Sequence, residues 1–215
     1  MVLLLIIFSW VGWWEVNHNK LFILTSALIK MDLDKAIKSR HSVKNFTSKK
    51  PDWRNIIECI DVARYAPMAG GNYSPKFILV DDSEKIKKIS EACDQDFVGQ
   101  AHYVVIVCSD PTRTMNAYGK QGEVYARQQA GAAIQNFLLK IQEFGLSTCW
   151  IGYFVEEYIK RELKIPEHVQ VEAVFPIGFE FEKKPAKKSR IDLDRILYFN
   201  SYGQMKMSPP KKMNV

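Results

Sequence analysis

Residues 122–145, GEVYARQQAGAAIQNFLLKIQEFG, restrict the fold more than any other stretch of the chain. They contain no proline and close on Gly145, a residue suited to the position just past a helix end, so they read as one long helix. Apolar side chains fall on more than one side of that helix. Such a helix belongs in the middle of the protein or at a subunit interface. A second restriction comes from YVVIVCSD at 103–110, a continuous apolar run of strand length, of the kind covered on both faces.

Shorter elements lie around these two. DLDKAIKSR reads as a helix with Asp32 at its N-cap. PDWRNIIECIDVARYA carries Trp53, Ile56, Ile57, Ile60 and Ala63 at helical spacing and stops at Pro67. APMAGGNYSP is a turn-rich loop leading into the short strand KFILV, and DSEKIKKISEAC is a helix with a charged outer face. LSTCWIGYF runs from a strand into a loop, VEEYIKRELKI is a helix closed by Pro166, and VQVEAVFPIGF is a strand with partial alternation. Helices and short strands follow one another irregularly, which points to an α+β fold or a mixed α/β sandwich with one central sheet. No G-x-G-x-x-G follows a strand and there is no P-loop, so a dinucleotide-binding Rossmann domain is not supported.

The chain has 215 residues, 47% of them hydrophobic, as expected of a globular protein. Its net charge of +6 is gathered largely in KKPAKKSR, 183–190, and in the tail PPKKMNV. A solvated basic surface accounts for such runs. No helix-turn-helix, zinc finger or aromatic RNA-binding motif accompanies them, so no nucleic-acid partner is expected. Cys59, Cys93, Cys108 and Cys149 form no C-x-x-C pair and read as small buried residues of a reducing, cytoplasmic compartment. His18, His41, His102 and His168 show no ligand spacing, and no metal is expected. The N-terminal run MVLLLIIFSWVGWW is shorter than the roughly 20 residues that cross a bilayer, and it lacks a basic start and a clean cleavage site. Residues 1–30 are expected to lie outside the main fold. Membrane association of residues 1–14 is the weaker reading, and a packed N-terminal helix a third.

Four stretches carry groups suited to a ligand. In SRHSVKNF, an extended backbone places Arg40, Ser42 and Lys44 on one side, where paired guanidinium donors, a hydroxyl and an ammonium suit a phosphate; His41 offers a further donor. The alternative is that these residues only complement the dipole of the preceding helix. Lys188 and Arg190 form a second basic cluster far along the chain. In APMAGGNYSP, the paired glycines permit close backbone approach to a flat ligand, and Asn72 offers both a donor and an acceptor; a plain helix-to-strand connection is the competing account. In GLSTCWIGYF, Gly152 lets a backbone amide face a ligand, while Cys149 has no partnered base and reads as structural.

Taken in order, these stretches resemble the nitroreductase family of flavin enzymes. RHSVKNF resembles its opening phosphate-binding segment, APMAGGNYSPKFILV its ring-facing loop and strand, and GLSTCWIGYF its G-L-G-T-C-W-I-G-x-F segment. FPIGFEFEKKPAKKSRIDLDRILYFN resembles its closing segment. Met68, Ser74 and Lys76 depart from the common pattern, and YFNSYG lacks the usual His. The resemblance spans about Met31 to Asn200. It implies an α+β fold with a mixed sheet flanked by helices, an apolar extension at 1–30, an FMN-binding domain at 31–200 and a basic tail at 201–215, the tail embracing a dimer partner.

The resemblance further implies a homodimer with FMN at the interface. It assigns the FMN phosphate and ribityl chain to Arg40, His41, Ser42 and Lys44, closed over by Lys188 and Arg190. Pro67, Met68 and Asn72 would approach the ring from the partner subunit, and Ile151 and Gly152 would line it. NAD(P)H would pass hydride through the flavin to a small nitroaromatic or quinone-like acceptor by alternating half-reactions, with no catalytic side chain. The alternatives are dehalogenation or flavin fragmentation on the same fold, and a flavin-binding protein without turnover. No clear Glu-Tyr-Lys lid of the deiodinase kind lies between Asp81 and Gln121.

Overall fold

The computed structural model describes residues 31–182 and 191–207. They fall in two compact units that divide between Lys183 and Lys184. The expected extension at 1–30, the basic run 183–190 and the end of the tail lie outside the described residues.

In the first unit, helix α1 (Leu33–Ser39) and helix α2 (Trp53–Ala63) precede strand β1 (Pro75–Val80). Helix α3 (Ser83–Cys93), strand β2 (Tyr103–Ser109), helices α4 (Thr112–Tyr118) and α5 (Gln121–Glu143), strand β3 (Ser147–Thr148), helix α6 (Glu156–Leu163) and strand β4 (Gln170–Gly178) follow. Asp52 and Asp82 cap α2 and α3 with their side chains, accepting from the first free backbone N–H groups. Asp32, expected to cap α1, sits at the N-cap position but makes no side-chain bond there. Helix α4 is absent from the sequence reading: TRTMNAY has no apolar period, and Thr114 is its buried residue.

The sheet has four strands in the order β1-β2-β4-β3. The expected α+β class is observed, but the sheet, expected to be mixed, is antiparallel in every described pairing. Strand direction depends on where each connection re-enters the sheet, which periodicity does not report. β2 is buried along its whole length, as its unbroken apolar run requires. Its Tyr103, Val105 and Val107 join Ile56, Cys59, Phe137 and Ile141 from α2 and α5 on one face. Val104, Ile106 and Cys108 join Ile86, Ile89 and Ile159 from α3 and α6 on the other.

The partial alternation of β4 has a local cause. Val107 pairs with Ala173 but Cys108 pairs with Val171, so Glu172 is an extra residue, a β-bulge. The bulge shifts the side-chain phase and lets Val171 share a face with Val174. Ser109 Oγ donates to the Glu172 carboxylate across the irregularity. Helix α5 buries Ala126, Ala130, Ala133, Ile134, Phe137, Leu138 and Ile141 as one stripe. Its other apolar side, at Leu139, lines an open groove of about 260 Å³ with Leu33, Ala36 and Val62. The second unit is a short irregular segment with a helical turn at Leu193–Arg195 and a Tyr198–Tyr202 ring pair at 4.8 Å.

Candidate functional site

Two of the four ligand-suited stretches, SRHSVKNF and GLSTCWIGYF, are tied together by a backbone hydrogen bond. The chain leaves α1 at Arg40, whose N–H still donates to Ala36 O at 3.0 Å, and turns extended (φ −55°, ψ 128°). Val43 N–H then donates to Thr148 O at 3.0 Å, which fixes the segment beside β3 and hence beside Trp150–Gly152. Thr47 N–H donates to Phe179 O at 2.8 Å and Phe181 N–H to Asn45 O at 3.0 Å, which lace the same segment to the chain after β4. Val43 and Phe46 point into the protein, while Arg40 is half-buried and Ser42 and Lys44 are exposed. Gly178 is what allows Phe46 to lie there: a Cβ at 178 would stand 2.7 Å from Phe46 Cδ1.

The charges of this segment divide in a specific way. His41 places Nδ1 3.0 Å from Ser39 O and Nε2 3.0 Å from Glu180 Oε1. Both partners accept, so a ring that satisfies both donates twice and carries a charge. Its pKa is raised above 6.5, first by the Ser39 carbonyl and next by Glu180, against the opposing effects of burial and Arg40. His41, expected to donate to a ligand, thus has both ring nitrogens engaged within the chain. Lys44 Nζ lies 5.5 Å from the centre of the Phe97 ring. Arg40 and Lys44 form no ion pair with a carboxylate among the described residues, so Arg40, Ser42 and Lys44 remain available to an anion. Lys188 and Arg190 lie outside the described residues.

Ile151 is buried and exchanges both its backbone bonds with Val174, at 3.1 and 3.0 Å. Gly152 follows it into solvent, and a Cβ there would meet nothing nearer than Trp150 Nε1 at 3.9 Å. No contact among the described residues explains a glycine at 152. The four cysteines are buried and free. Burial pushes the thiols of Cys59, Cys93 and Cys108 up to about 12, which leaves them protonated and inert.

The loop APMAGGNYSP lies elsewhere. After α2, Pro67 and Met68 are exposed and a helical turn at Ala69–Gly71 places Gly70 (φ 55°) and Gly71 (φ 75°) in left-handed backbone, which explains the paired glycines. The Asn72 side-chain amide donates to Ala69 O and Gly70 O, both at 3.3 Å, and its oxygen takes no part in these bonds. Ser74 N–H donates to Gln129 Oε1 at 3.3 Å, fixing the loop against α5. Loop 67–74 enters β1, one edge of the sheet, and Thr148 lies in β3, the other edge. Pro75 is level with Ser109 at one end of β2, while Thr148 is level with Ile177 and hence Tyr103 at the other. Three strand spacings and six residues along β2 put the two corners roughly 25 Å apart. Sequence reasoning missed Glu180, Gln129 and Tyr118, whose hydroxyl rests on Gly70. No local signal marks any of the three.

The pattern of the nitroreductase family matches residues 37–97 and 90–179. The chain belongs to the nitroreductase family. A Methanothermobacter thermautotrophicus protein named "Putative NADH dehydrogenase/NAD(P)H nitroreductase" is 31% identical over 189 residues, covering 85% of this chain and 95% of the relative. A Bacillus subtilis protein named "FMN reductase [NAD(P)H]" is 24% identical, covering 78% of this chain and 73% of the relative. The crystal structure of a nitroreductase family protein from Clostridium novyi superposes with a TM-score of 0.64 at 27% identity, over 81% of this chain and 96% of that one. Among the described residues of this nitroreductase-family chain, no helix is long and apolar enough to cross a membrane. No group of three metal-binding side chains occurs there either.

Proposed function

We propose that this chain is an FMN-dependent oxidoreductase that transfers hydride from NAD(P)H to a small quinone-like or nitroaromatic acceptor in two alternating half-reactions. Membership of the family makes it an NAD(P)H-dependent flavin oxidoreductase in the general sense. The observation that carries the finer reading is the set of Arg40, Ser42 and Lys44 donors beside the segment that presents Gly152. The residues fit the cofactor. Among the described residues, Arg40 and Lys44 meet no carboxylate, Ser39 Oγ and Thr148 Oγ1 are buried beside the segment without a partner, and Gly152 leaves open space where a side chain would stand. When bound, FMN supplies two-electron redox chemistry at its ring.

The chain's own part is to bind and orient. Arg40 supplies a guanidinium fork, Ser42 a neutral donor and Lys44 a compact charge, with Lys188 and Arg190 as further basic groups for the phosphate. Ile151 and Gly152 border the ring, and exposed Trp150, packed edge-on to Phe175 at 5.6 Å, gives that border an aromatic side. Loop 67–74, which carries Pro67, Met68 and Asn72, enters the sheet at Pro75, roughly 25 Å from Thr148 beside the phosphate segment of its own chain. A ring held by both sets is therefore held between two copies of the chain, and the apolar groove beside α5 provides surface for such a homodimer.

The test is an anaerobic absorbance titration of the purified protein with released cofactor identified. A yellow protein that yields FMN and bleaches with NADH or NADPH is the expected result. A protein that takes up no FMN refutes the assignment of Arg40–Lys44, and one that binds FMN yet stays oxidised refutes turnover.

A further inference from the structure

We propose that Glu180 is a positioning residue for the phosphate site that acts through His41, and that the pair makes the hold on a phosphate weaken as the pH rises past neutrality. The inference rests on the flavin reading above. It moves His41 out of the set that touches the phosphate and into a clasp behind that set.

The chain after β4 is bonded to the later half of the phosphate segment. Thr47 N–H donates to Phe179 O and Phe181 N–H to Asn45 O, on either side of the bridge between Phe46 and Glu180. The His41–Glu180 contact carries this tie back to the end of the segment that holds Arg40 and Ser42. In extended backbone, His41 and buried Val43 take the side opposite Arg40 and Ser42, so the imidazole stands behind the anion donors and not among them. Side-chain exposure is 25% for His41 and 14% for Glu180, low enough that salt and water screen the pair far less than a surface ion pair.

The ring needs its second proton to serve both partners. Nδ1 faces the Ser39 carbonyl and Nε2 the Glu180 carboxylate, each at 3.0 Å. A neutral ring has one N–H for these two acceptors, so losing the proton breaks one of the bonds. Whichever bond breaks, one unit of negative charge is left uncompensated beside the segment. The charges that bear on the ring are Glu180, from the chain after β4, and Arg40, from its own segment. Lys38, in the last turn of α1, is paired with Asp34, Glu182 is exposed beyond Glu180, and Thr148 of β3 carries no charge. The Ser39 carbonyl and Glu180 keep the proton in place to a pH above 6.5. A phosphate dianion on the other side of the segment favours the same proton. Phosphate binding therefore takes up a proton wherever the free site has lost it, and its affinity falls over that range.

The test compares FMN with riboflavin, which lacks the phosphate. Each is titrated by fluorescence into flavin-free protein from about pH 7 to 9, where a free phosphate monoester keeps its full charge. The FMN dissociation constant is expected to rise about three- to tenfold across that range, the reach of a pKa shift of about half to one unit, while that of riboflavin stays level. Glu180→Gln, whose amide can donate to a neutral ring, should abolish the rise. Where that variant fails to fold, His41→Gln, which has nothing to titrate, should abolish it instead. Calorimetry of the wild-type protein at about pH 8, in two buffers of different ionisation enthalpy, gives a reading that needs no variant: FMN binding should take up part of a proton and riboflavin binding none. A level FMN profile, an equal rise for riboflavin, a rise that survives in Glu180→Gln, or the absence of proton uptake overturns the proposal while FMN still binds and the flavin reading stands. A wild-type protein that takes up no FMN at any pH sinks the flavin reading, and this proposal with it.

Discussion

Gly178→Ala tests whether the closing strand and the phosphate segment are one mechanical unit. The new methyl would stand 2.7 Å from Phe46 Cδ1, 2.9 Å from Cγ and 3.1 Å from Cβ. Comfortable carbon contacts lie near 3.5–4.0 Å, so Phe46 must retreat by about 1 Å. Turning the ring does not suffice, because Phe46 Cβ is itself too close, and Phe46 is buried with Val43 and Ala101 against Phe97. The backbone of 43–47 therefore moves, against the bonds to Thr148, Phe179 and Phe181. Overpacking of this kind costs about 1–3 kcal/mol. Gly178 does not have a positive φ, so alanine returns about 0.4–1 kcal/mol by restricting the unfolded chain. The net expectation is a loss of about 1–2 kcal/mol in urea unfolding of flavin-free protein at constant m, with FMN affinity about tenfold weaker because Arg40 and Ser42 shift with the segment. In a Phe46→Ala background, which lacks Cγ and Cδ1, Gly178→Ala should cost less than it does in the parent chain, a coupling that a double-mutant cycle measures. Equal stability of Gly178→Ala and wild type, or a cost that is the same in the Phe46→Ala background, would refute the reasoning.

Arg40→Ala and Lys44→Ala should each weaken FMN binding about 10- to 100-fold by fluorescence titration, the scale of a charge-assisted bond, with the urea midpoint of flavin-free protein unchanged. The raised pKa of His41 means the folded protein holds that proton more tightly than the unfolded chain. Its stabilisation is full below 6.5 and is lost as pH rises through the folded value, so the urea midpoint should fall above about pH 6.5, and Glu180→Gln should flatten that part of the profile. With thiols pushed up to about 12, Cys59, Cys93 and Cys108 carry on the order of one thiolate in ten thousand at pH 8. A thiol reagent should therefore modify them only as fast as the protein opens, and rapid native-state labelling of these three would contradict their burial.

What could be read from the sequence follows from how local its cause is. YVVIVCS is apolar at every position and is covered at every position. The run 122–145 is long enough to read as one helix whatever surrounds it, but its apolar residues fall on more than one side, and which of them form the buried stripe is set by the packing. The bulge at Glu172 was visible only as imperfect alternation, because whether an extra residue sits in a strand depends on the partner strand. SRHSVKNF shows the same limit. Its alternation places Arg40, Ser42 and Lys44 together, but Val43 and Phe46 both face inward, three apart, so strict alternation breaks within the segment. Nothing near His41 announces Glu180, 139 positions away, because that pairing exists only once β4 has brought the closing strand alongside. The glycines divide likewise. Gly70 and Gly71 answer to local left-handed backbone, whereas Gly178 answers to Phe46.

The His41–Glu180 pair also settles a question of charge. A bare carboxylate beside a bound phosphate would oppose its binding by direct Coulomb repulsion. Glu180 sits in a two-residue bridge with Phe46, too close to the segment to be ignored. A charged His41 cancels it in place and leaves Arg40 and Lys44 with their charge undivided. The segment is thus held before any ligand arrives, its backbone tied to β3 and to the chain after β4, and Glu180 paired with His41. Loop 67–74 is finished separately, by Gln129 and Tyr118 at the far corner of the sheet. On the proposed flavin reading, two halves at opposite corners of one sheet, roughly 25 Å apart, would meet a single ring only across two copies of the chain.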